Sequence, residues 1–259
     1  MTVHPAVTNA DLDACASLVA KGDPDRFSAL LASPIDVRPV MLPIYAFNLE
    51  VSRAPWLTEE AMIAEMRLQW WRDVLDEIET GKHVRRHEVA SPLAKVLKPS
   101  HCAVLDRLIA MRRWDIYRDT FENPAHFEAY LDHTSAGLMW VIAQQLGAVA
   151  SHEPHVRSLG YASGLARFFI AVPDLLRRGR QPLLTDDTSQ IASLADEALL
   201  RLASATRALR ELPKSARPAL KEAWMAKPVL QRAKRAPHRV LDKTLAPSEL
   251  EKRLRLFIV

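Results

Sequence analysis

Apolar residues recur at three- and four-residue spacing along most of the chain, and nowhere do apolar and polar positions alternate in a sustained period of two. The clearest case follows Thr58, a residue type suited to an N-cap, with Glu59 and Glu60 in the first turn, where acids favour the helix dipole. Ile63, Met66, Trp70, Trp71, Val74, Leu75 and Ile78 then form one apolar face, and Gly81 supplies the stop. Similar spacing predicts helices over about 101–118, 125–149, 155–172, 188–211 and 216–235, with a short segment near 247–257. Ahead of these, Asp25–Ala32 and Val40–Ser52 read as two more, divided by SPIDVRP. Seven glycines against seventeen prolines leave little material for hairpin turns, and the prolines fall mostly between the amphipathic stretches. There is no internal repeat, low-complexity tract or long linker. The expectation is one all-α domain over residues 1–259, built from about eight helices.

Composition changes this picture little. Hydrophobic residues at 49% and charged residues at 25% are ordinary for a globular chain, and a net charge of +4 does not point to nucleic acid. Cys15 and Cys102 are isolated, with no CxxC pair, and read as free thiols in a reducing compartment. The first residues, MTVHPAVTNADLDAC, have neither a cationic start nor an apolar stretch, so no secretory signal is expected there. No run of about 18 apolar residues is present, so no membrane span is expected and the predicted location is cytoplasmic. One local feature stands out. KPVLQRAKRAPHRVLDK, Lys227 to Lys243, carries six Lys or Arg and one acid, with a thin apolar side of Leu230, Ala233 and Val240. It reads as a solvated face or as a peripheral contact with anionic lipid. It lacks the interleaved aromatics of a nucleic-acid surface.

Several familiar chemistries are missing. Neither GxxxxGK[ST] nor GxGxxG occurs. GYASG, Gly160 to Gly164, has its serine one position late for a nucleophile elbow and reads as a close helix contact. His83 and His87 are spaced for a metal on one helical face, but they follow Gly81 and lie among Lys82, Arg85 and Arg86, so a solvated loop is expected. The same holds for His152 and His155 around Glu153 and Pro154.

Three segments carry more information: RPVMLPIYAFNLEVSR from Arg38, EMRLQWWRDVLDEI from Glu65, and LGYASGLARFFIAVPDLLRRGRQPLL from Leu159. Together they resemble the squalene/phytoene synthase family over most of the chain. The resemblance implies an all-α, isoprenoid-synthase-like helical bundle around a central apolar cavity. Active members join two prenyl diphosphates head to head, and Mg²⁺ held by two facing Asp-rich motifs neutralises the departing diphosphate. Laid on this chain from Tyr45, Ala46 and Phe47, the first motif puts Ser52, Arg53 and Trp56 at the aspartate positions. The second puts Arg167 at an asparagine position, Ile170 at an arginine, Ala171 at an aspartate and Asp174 at a glutamate, with Leu175 closing it. Packing residues remain while the metal ligands are gone.

The resemblance therefore implies no catalytic residue, no metal ligand and no cofactor. Sequence reasoning leaves a candidate ligand set of Arg38, Tyr45, Asn48, Glu50, Arg53, Trp71, Arg167, Arg178 and Arg180. Arginines of this set, with Arg177, would rim the cavity mouth and bind an anion without metal. Tyr45, Phe47, Trp70 and Trp71 read first as core or cavity-wall aromatics, and Arg67 and Arg72 first as surface partners of Glu65, Asp73 or Asp76. One branch of the superfamily shares YAFN, RLQWWRD and the eroded motifs. Its best-known members are assembly factors for respiratory complex I, peripheral to the inner mitochondrial membrane. The implied role is a non-catalytic assembly factor with a respiratory-complex subunit or assembly protein as partner. Two alternatives stay open: a divergent prenyl transferase whose Glu50, Asp73, Asp76 and Asp174 gather Mg²⁺, and a carrier of an isoprenoid or quinone in the cavity.

Overall fold

The computed structural model describes residues 9–185 and 187–256. The N-terminal residues on which the signal-peptide expectation partly rests, 1–8, lie outside this range, as does the last residue of the expected 247–257 segment. Among the described residues there is no strand.

The chain opens with α1 (Asn9–Gly22), then α2 (Pro24–Leu31), capped by the Asp23 carboxylate accepting from the Arg26 N–H at 3.0 Å. α3 (Arg38–Arg53) runs into a tight 3₁₀ turn, Ala54–Trp56. α4 (Ala61–Glu79) follows Thr58, whose hydroxyl accepts from the Glu60 N–H. Its buried stripe is Ala64, Leu68, Trp71, Leu75 and Ile78, with Val74 beside it. Ile63 and Met66, expected on that face, point outward, because Ile63 lies about 100° off the stripe and Met66 on roughly the opposite side of the helix. α5 (Ala90–Val96) is begun by His87, whose ring nitrogen accepts from the Val89 N–H at 3.1 Å while the ring packs on Trp70 and Trp71. The expected solvated histidine is thus a structural one.

The predicted 101–118 helix divides into α6 (Cys102–Arg112) and α7 (Trp114–Tyr117), ending where Arg118 turns left-handed. The predicted 125–149 helix is α8 (Pro124–Leu131) and α9 (Gly137–Gln145), joined by a π turn at Asp132–Ala136. α10 (Glu153–Arg177) starts earlier than expected and takes His155 into its first turn, since Pro154 fits a helix start. α11 (Thr188–Ala208), a 3₁₀ stretch at Arg217–Ala223, α12 (Ala226–Arg235) and α13 (Glu249–Leu256) complete the order.

α10 organises the bundle. It packs against α9, α11 and α12 and contributes to both apolar clusters of the core. By length and composition 150–177 would suit a membrane span, but two-thirds of its most apolar 18 residues are buried inside the bundle, as in a core helix. Its close approach to the π turn needs glycine: a Cβ on Gly160 would stand 2.6 Å from the Ala136 Cα. The Ser135 hydroxyl donates to the Gly160 carbonyl at 3.0 Å across the same contact. Cys15 and Cys102 are buried free thiols, each pushed up to about 12 by burial. In the basic stretch, Leu230, Ala233 and Val240 are buried in the core, so they do not form a lipid-facing side.

Candidate functional site

One cavity of about 410 Å³ opens between the ends of α3 and α10. The C-terminal turns of α3 contribute Asn48, Leu49 and Ser52, and the following turn adds Trp56. α10 faces them with Gly164, Arg167, Phe168, Ala171, Asp174 and Leu175, and Arg178 follows at its end. The α1–α2 junction brings Gly22, Asp23 and Arg26; α6 and α7 bring Arg112 and Asp115; α8 and the π turn bring Tyr130, Leu131, Thr134 and Ser135. The lining is mixed: Leu49, Leu131, Phe168, Ala171 and Leu175 keep part of it apolar, as expected, while arginine–aspartate pairs are set into its walls.

Two such clusters are present. In the first, the buried Arg26 donates from Nε to Glu222 at 2.7 Å and from Nη1 to Asp23 at 3.0 Å, and its guanidinium lies 5.0 Å over the Tyr45 ring. Arg167 closes the group, reaching Asp23 at 2.6 Å. Burial alone would push the Asp23 carboxyl up, but Arg167 and Arg26 outweigh it and hold the group well below the ordinary carboxylate range. Burial keeps the Tyr45 phenol neutral, and Glu222 reinforces this. In the second cluster Arg112 donates to Asp115 at 3.0 Å and to the Tyr130 hydroxyl at 2.6 Å, and Tyr130 donates to Asp115 at 3.1 Å. Burial raises the Asp115 carboxyl above its ordinary value, against the pull of Arg112. The buried Arg180 donates to the Asp115 carbonyl.

Of the degenerate motif positions, Ser52, Trp56, Arg167, Ala171, Asp174 and Leu175 all line this cavity, and Arg53 is exposed away from it. Of the candidate ligand set, Asn48, Arg167 and Arg178 line it, and the buried Asn48 Oδ1 has no partner among the described residues. Arg180 stands just behind, where it and Arg178 each hold a guanidinium carbon 5.0 Å from the centre of the Trp56 ring. Tyr45 is fully buried beneath Arg26. The others stand elsewhere. Arg38 donates to the Leu31 carbonyl at 2.8 Å and to Ser33, closing the end of α2. Trp71 packs edge-on to Phe47 at 5.2 Å in the core. Glu50 is half-buried outside the lining, and Arg177 pairs with Asp174 on the rim. Arg72 reaches Asp106 at 2.6 Å on α6, rather than an acid of its own helix.

Asp23, Arg26, Arg112, Asp115, Tyr130 and Glu222 were not singled out in the sequence. For Arg26 the one signal is a charge ahead of the apolar residues of PDRFSALL.

These groups do not make a magnesium donor set. Ser52 donates to the Leu49 carbonyl, and Asp174 is held by Arg177 and by Lys243 at 3.1 Å. Asp23 and Asp115 are each occupied by arginine. Asp73 and Asp76 stand on the far side of α4 in a separate surface pocket, with Asp76 paired to Lys82 at 3.0 Å. Among the described residues no group of three or more His, Cys, Asp or Glu could hold a metal ion. Each lining carboxylate already has its positive partner, and an Arg167 guanidinium at the motif position opposes a second cation.

Known structures share this bundle. A dehydrosqualene synthase solved with ligand superposes with a TM-score of 0.80, covering 96% of this chain and 95% of its own at 18% identity. Squalene synthase HpnC from Alicyclobacillus acidocaldarius gives 0.71, covering 87% and 93% at 17% identity. Curated relatives are named differently. The complex I assembly factor 6 homolog of Drosophila melanogaster is 27% identical over 194 residues, and the human assembly factor 6 is 25% identical over 190. Each alignment takes in 72% of this chain, while the chain spans only 58% and 56% of those proteins' lengths. The mouse assembly factor 6 aligns more fully, at 23% identity over 94% of this chain and 80% of its own. The squalene/phytoene synthase model matches residues 19–247, which takes in α3, both faces of the cavity and the α10 frame. With the motif positions facing one another across a cavity in that fold, the chain belongs to the squalene/phytoene synthase family.

Proposed function

We propose that this chain is a non-catalytic member of its family that acts as an accessory protein in the assembly of a complex I-type respiratory complex. The carrying observation is the occupation of the cavity's carboxylates by Arg26, Arg112, Arg167, Arg177 and Lys243, which leaves none free for Mg²⁺. The names of the curated relatives supply the class of partner, a respiratory-complex subunit or another assembly protein. We read the 259 residues as one helical unit, since α10 threads both core clusters. Its place is on the cytoplasmic side, at the surface of the respiratory membrane, with the basic stretch Lys227–Lys243 toward anionic lipid. No cofactor is required.

Two experiments test this together. Pyrophosphate release is measured from farnesyl and geranylgeranyl diphosphate with millimolar Mg²⁺ or Mn²⁺. The chain is then deleted in its own host, and assembled complex I is followed on native gels. The expected result is release no greater than a heat-killed control, together with loss of the assembled complex. Release above control would identify a divergent prenyl transferase, and normal complex I after deletion would remove the assembly role.

A second reading is favoured by one observation. Leu49, Leu131, Phe168 and Leu175 give the cavity an apolar part beside its charged walls, in a volume within the ordinary range for small-molecule sites. An isoprenoid or quinone carried there would copurify and be seen by mass spectrometry of extracted protein.

A further inference from the structure

Positive charge in this molecule is concentrated at one end of the chain. Residues 226–256 hold nine of the 35 Lys and Arg and three of the 31 Asp and Glu, so this stretch carries +6 and the remainder −2. Not all of it is available. Lys234 is paired with Asp196 at 2.5 Å and Lys243 with Asp174 at 3.1 Å. Four of the others, Arg232, Arg235, Arg239 and Arg255, line a groove of about 320 Å³ between α12 and α13 with a single acid, Glu251. That acid is already engaged, by Arg232 at 2.8 Å and by Arg255 at 3.4 Å. Neither Arg235 nor Arg239 forms an ion pair within 4 Å among the described residues; Arg239 donates to the Thr244 hydroxyl and acts on the exposed Asp242 only through the field of its charge.

α13 is fixed in place by its inner side, through Arg232–Glu251 and through Lys252–Asp25 at 2.9 Å. Leu250 and Leu254 lie one turn apart on its outer side, 69% and 58% exposed. They form the helical stripe about 100° around α13 from Glu251 and Arg255, the two α13 residues that line the groove.

We infer that the α12–α13 face is a docking surface for an anionic phospholipid bilayer. The arginines of the groove take lipid phosphates, and Leu250 and Leu254 enter the acyl boundary. Guanidinium forks suit phosphate oxygens, and an amphipathic helix lying in the interface buries its apolar side at that depth. The arginines alone would serve any polyanion; the exposed leucine stripe of α13 favours a bilayer. This inference deepens the membrane-surface part of the proposed function and does not depend on the complex I role.

The test is flotation of the purified full chain with vesicles of phosphatidylcholine, alone or with roughly one-third phosphatidylglycerol, at low salt. Two double variants are compared with wild type, Arg235→Ala/Arg239→Ala and Leu250→Ser/Leu254→Ser, each first checked for an unchanged melting temperature. Wild type is expected to float with the anionic vesicles alone and to be released by high salt. The arginine pair should weaken binding about 25-fold, at roughly fivefold per charge. The leucine pair should weaken it on the order of tenfold. Binding by wild type that neither variant reduces would overturn the assignment to this face while leaving a membrane role standing. Reduction by the arginine pair alone would point to an acidic partner or polyanion instead. Failure of wild type to bind either vesicle would overturn both, whatever the deletion strain shows for complex I.

Discussion

Replacing Glu222 by Gln isolates the weight of the buried ion cluster. The Glu222 side chain is fully buried and the Arg26 side chain is 6% exposed, with 2.7 Å between Arg26 Nε and Oε2. Glu222→Gln keeps the volume and removes one charge, leaving Arg26 with Asp23 alone, which Arg167 already shares. At an effective dielectric of about 20, unit charges ~3–4 Å apart attract by roughly 4–6 kcal/mol. Breaking one partner of a buried pair costs about 3–5 kcal/mol, because the surviving charge stays desolvated. Asp23 still covers part of Arg26, so the lower end applies, about 3 kcal/mol. For a chain of this size that corresponds to a fall in melting temperature of roughly 6–12 °C. The assay is thermal unfolding by circular dichroism at pH 7, with urea unfolding as a check. A companion, Glu222→Leu with Arg26→Met, removes both charges and should recover much of the loss, since apolar replacements of buried pairs are often neutral or better. A melting temperature for Glu222→Gln within about 2 °C of wild type would refute the claim that this pair anchors α2 to the 3₁₀ stretch beneath the cavity.

Three further outcomes follow from the same geometry. Gly160→Ala, which sets a Cβ against the Ala136 backbone, should destabilise by about 1–3 kcal/mol in urea titration; a wild-type midpoint would mean α10 and the π turn are not in that close contact. Asp23 has its carboxyl held below its unfolded value, so its contribution is complete above about pH 5 and is lost as pH falls below ~4. Asp23→Asn should therefore flatten the acid limb of the stability–pH curve, and an unchanged limb would assign acid sensitivity to other carboxylates. Millimolar Mg²⁺ should leave the melting temperature unmoved, whereas a site filled at 100 times its Kd would add ~2.7 kcal/mol. A rise of several degrees that EDTA reverses would show that a metal site exists after all.

How far the sequence carried can be seen in two helices and one cluster. α4 was legible because its apolar period is long and is closed by Gly81: Trp71, Val74, Leu75 and Ile78 are buried as expected, and only its first turns were misread, where Ile63 and Met66 fit a helical spacing but Ala64 and Leu68 are the buried residues. α1 was not read at all: its buried positions are Asp11, Cys15 and Val19, too weakly apolar to register as a stripe. In the site, the motif frame located Ser52, Trp56, Arg167, Ala171 and Asp174 around one cavity. Their partners were out of reach. Arg26 meets Glu222 across 196 residues and Arg167 meets Asp23 across 144, and no local periodicity encodes contacts of that separation. The basic stretch shows the same limit, since only the fold reveals that Lys234 and Lys243 are spent on acids of α11 and α10.

The exchange at the cavity also explains how a bundle of this kind persists without its usual ions. Carboxylates facing one another across a narrow space repel unless a cation lies between them, so a family that binds Mg²⁺ there relies on the metal for counter-charge. In this chain the counter-charge is covalently attached. Arg167 comes from α10 and Arg26 from α2, and both converge on Asp23 at the α1–α2 junction; Arg112 does the same for Asp115. A side-chain cation fixed by 2.6–3.0 Å contacts cannot leave with a departing diphosphate, and it closes the coordination sphere that such chemistry needs. The same contacts leave the cavity's carboxylates neutralised by the chain's own arginines. The result is a helical scaffold of this family whose cavity carboxylates are neutralised from within and whose positive charge is concentrated at α12 and α13.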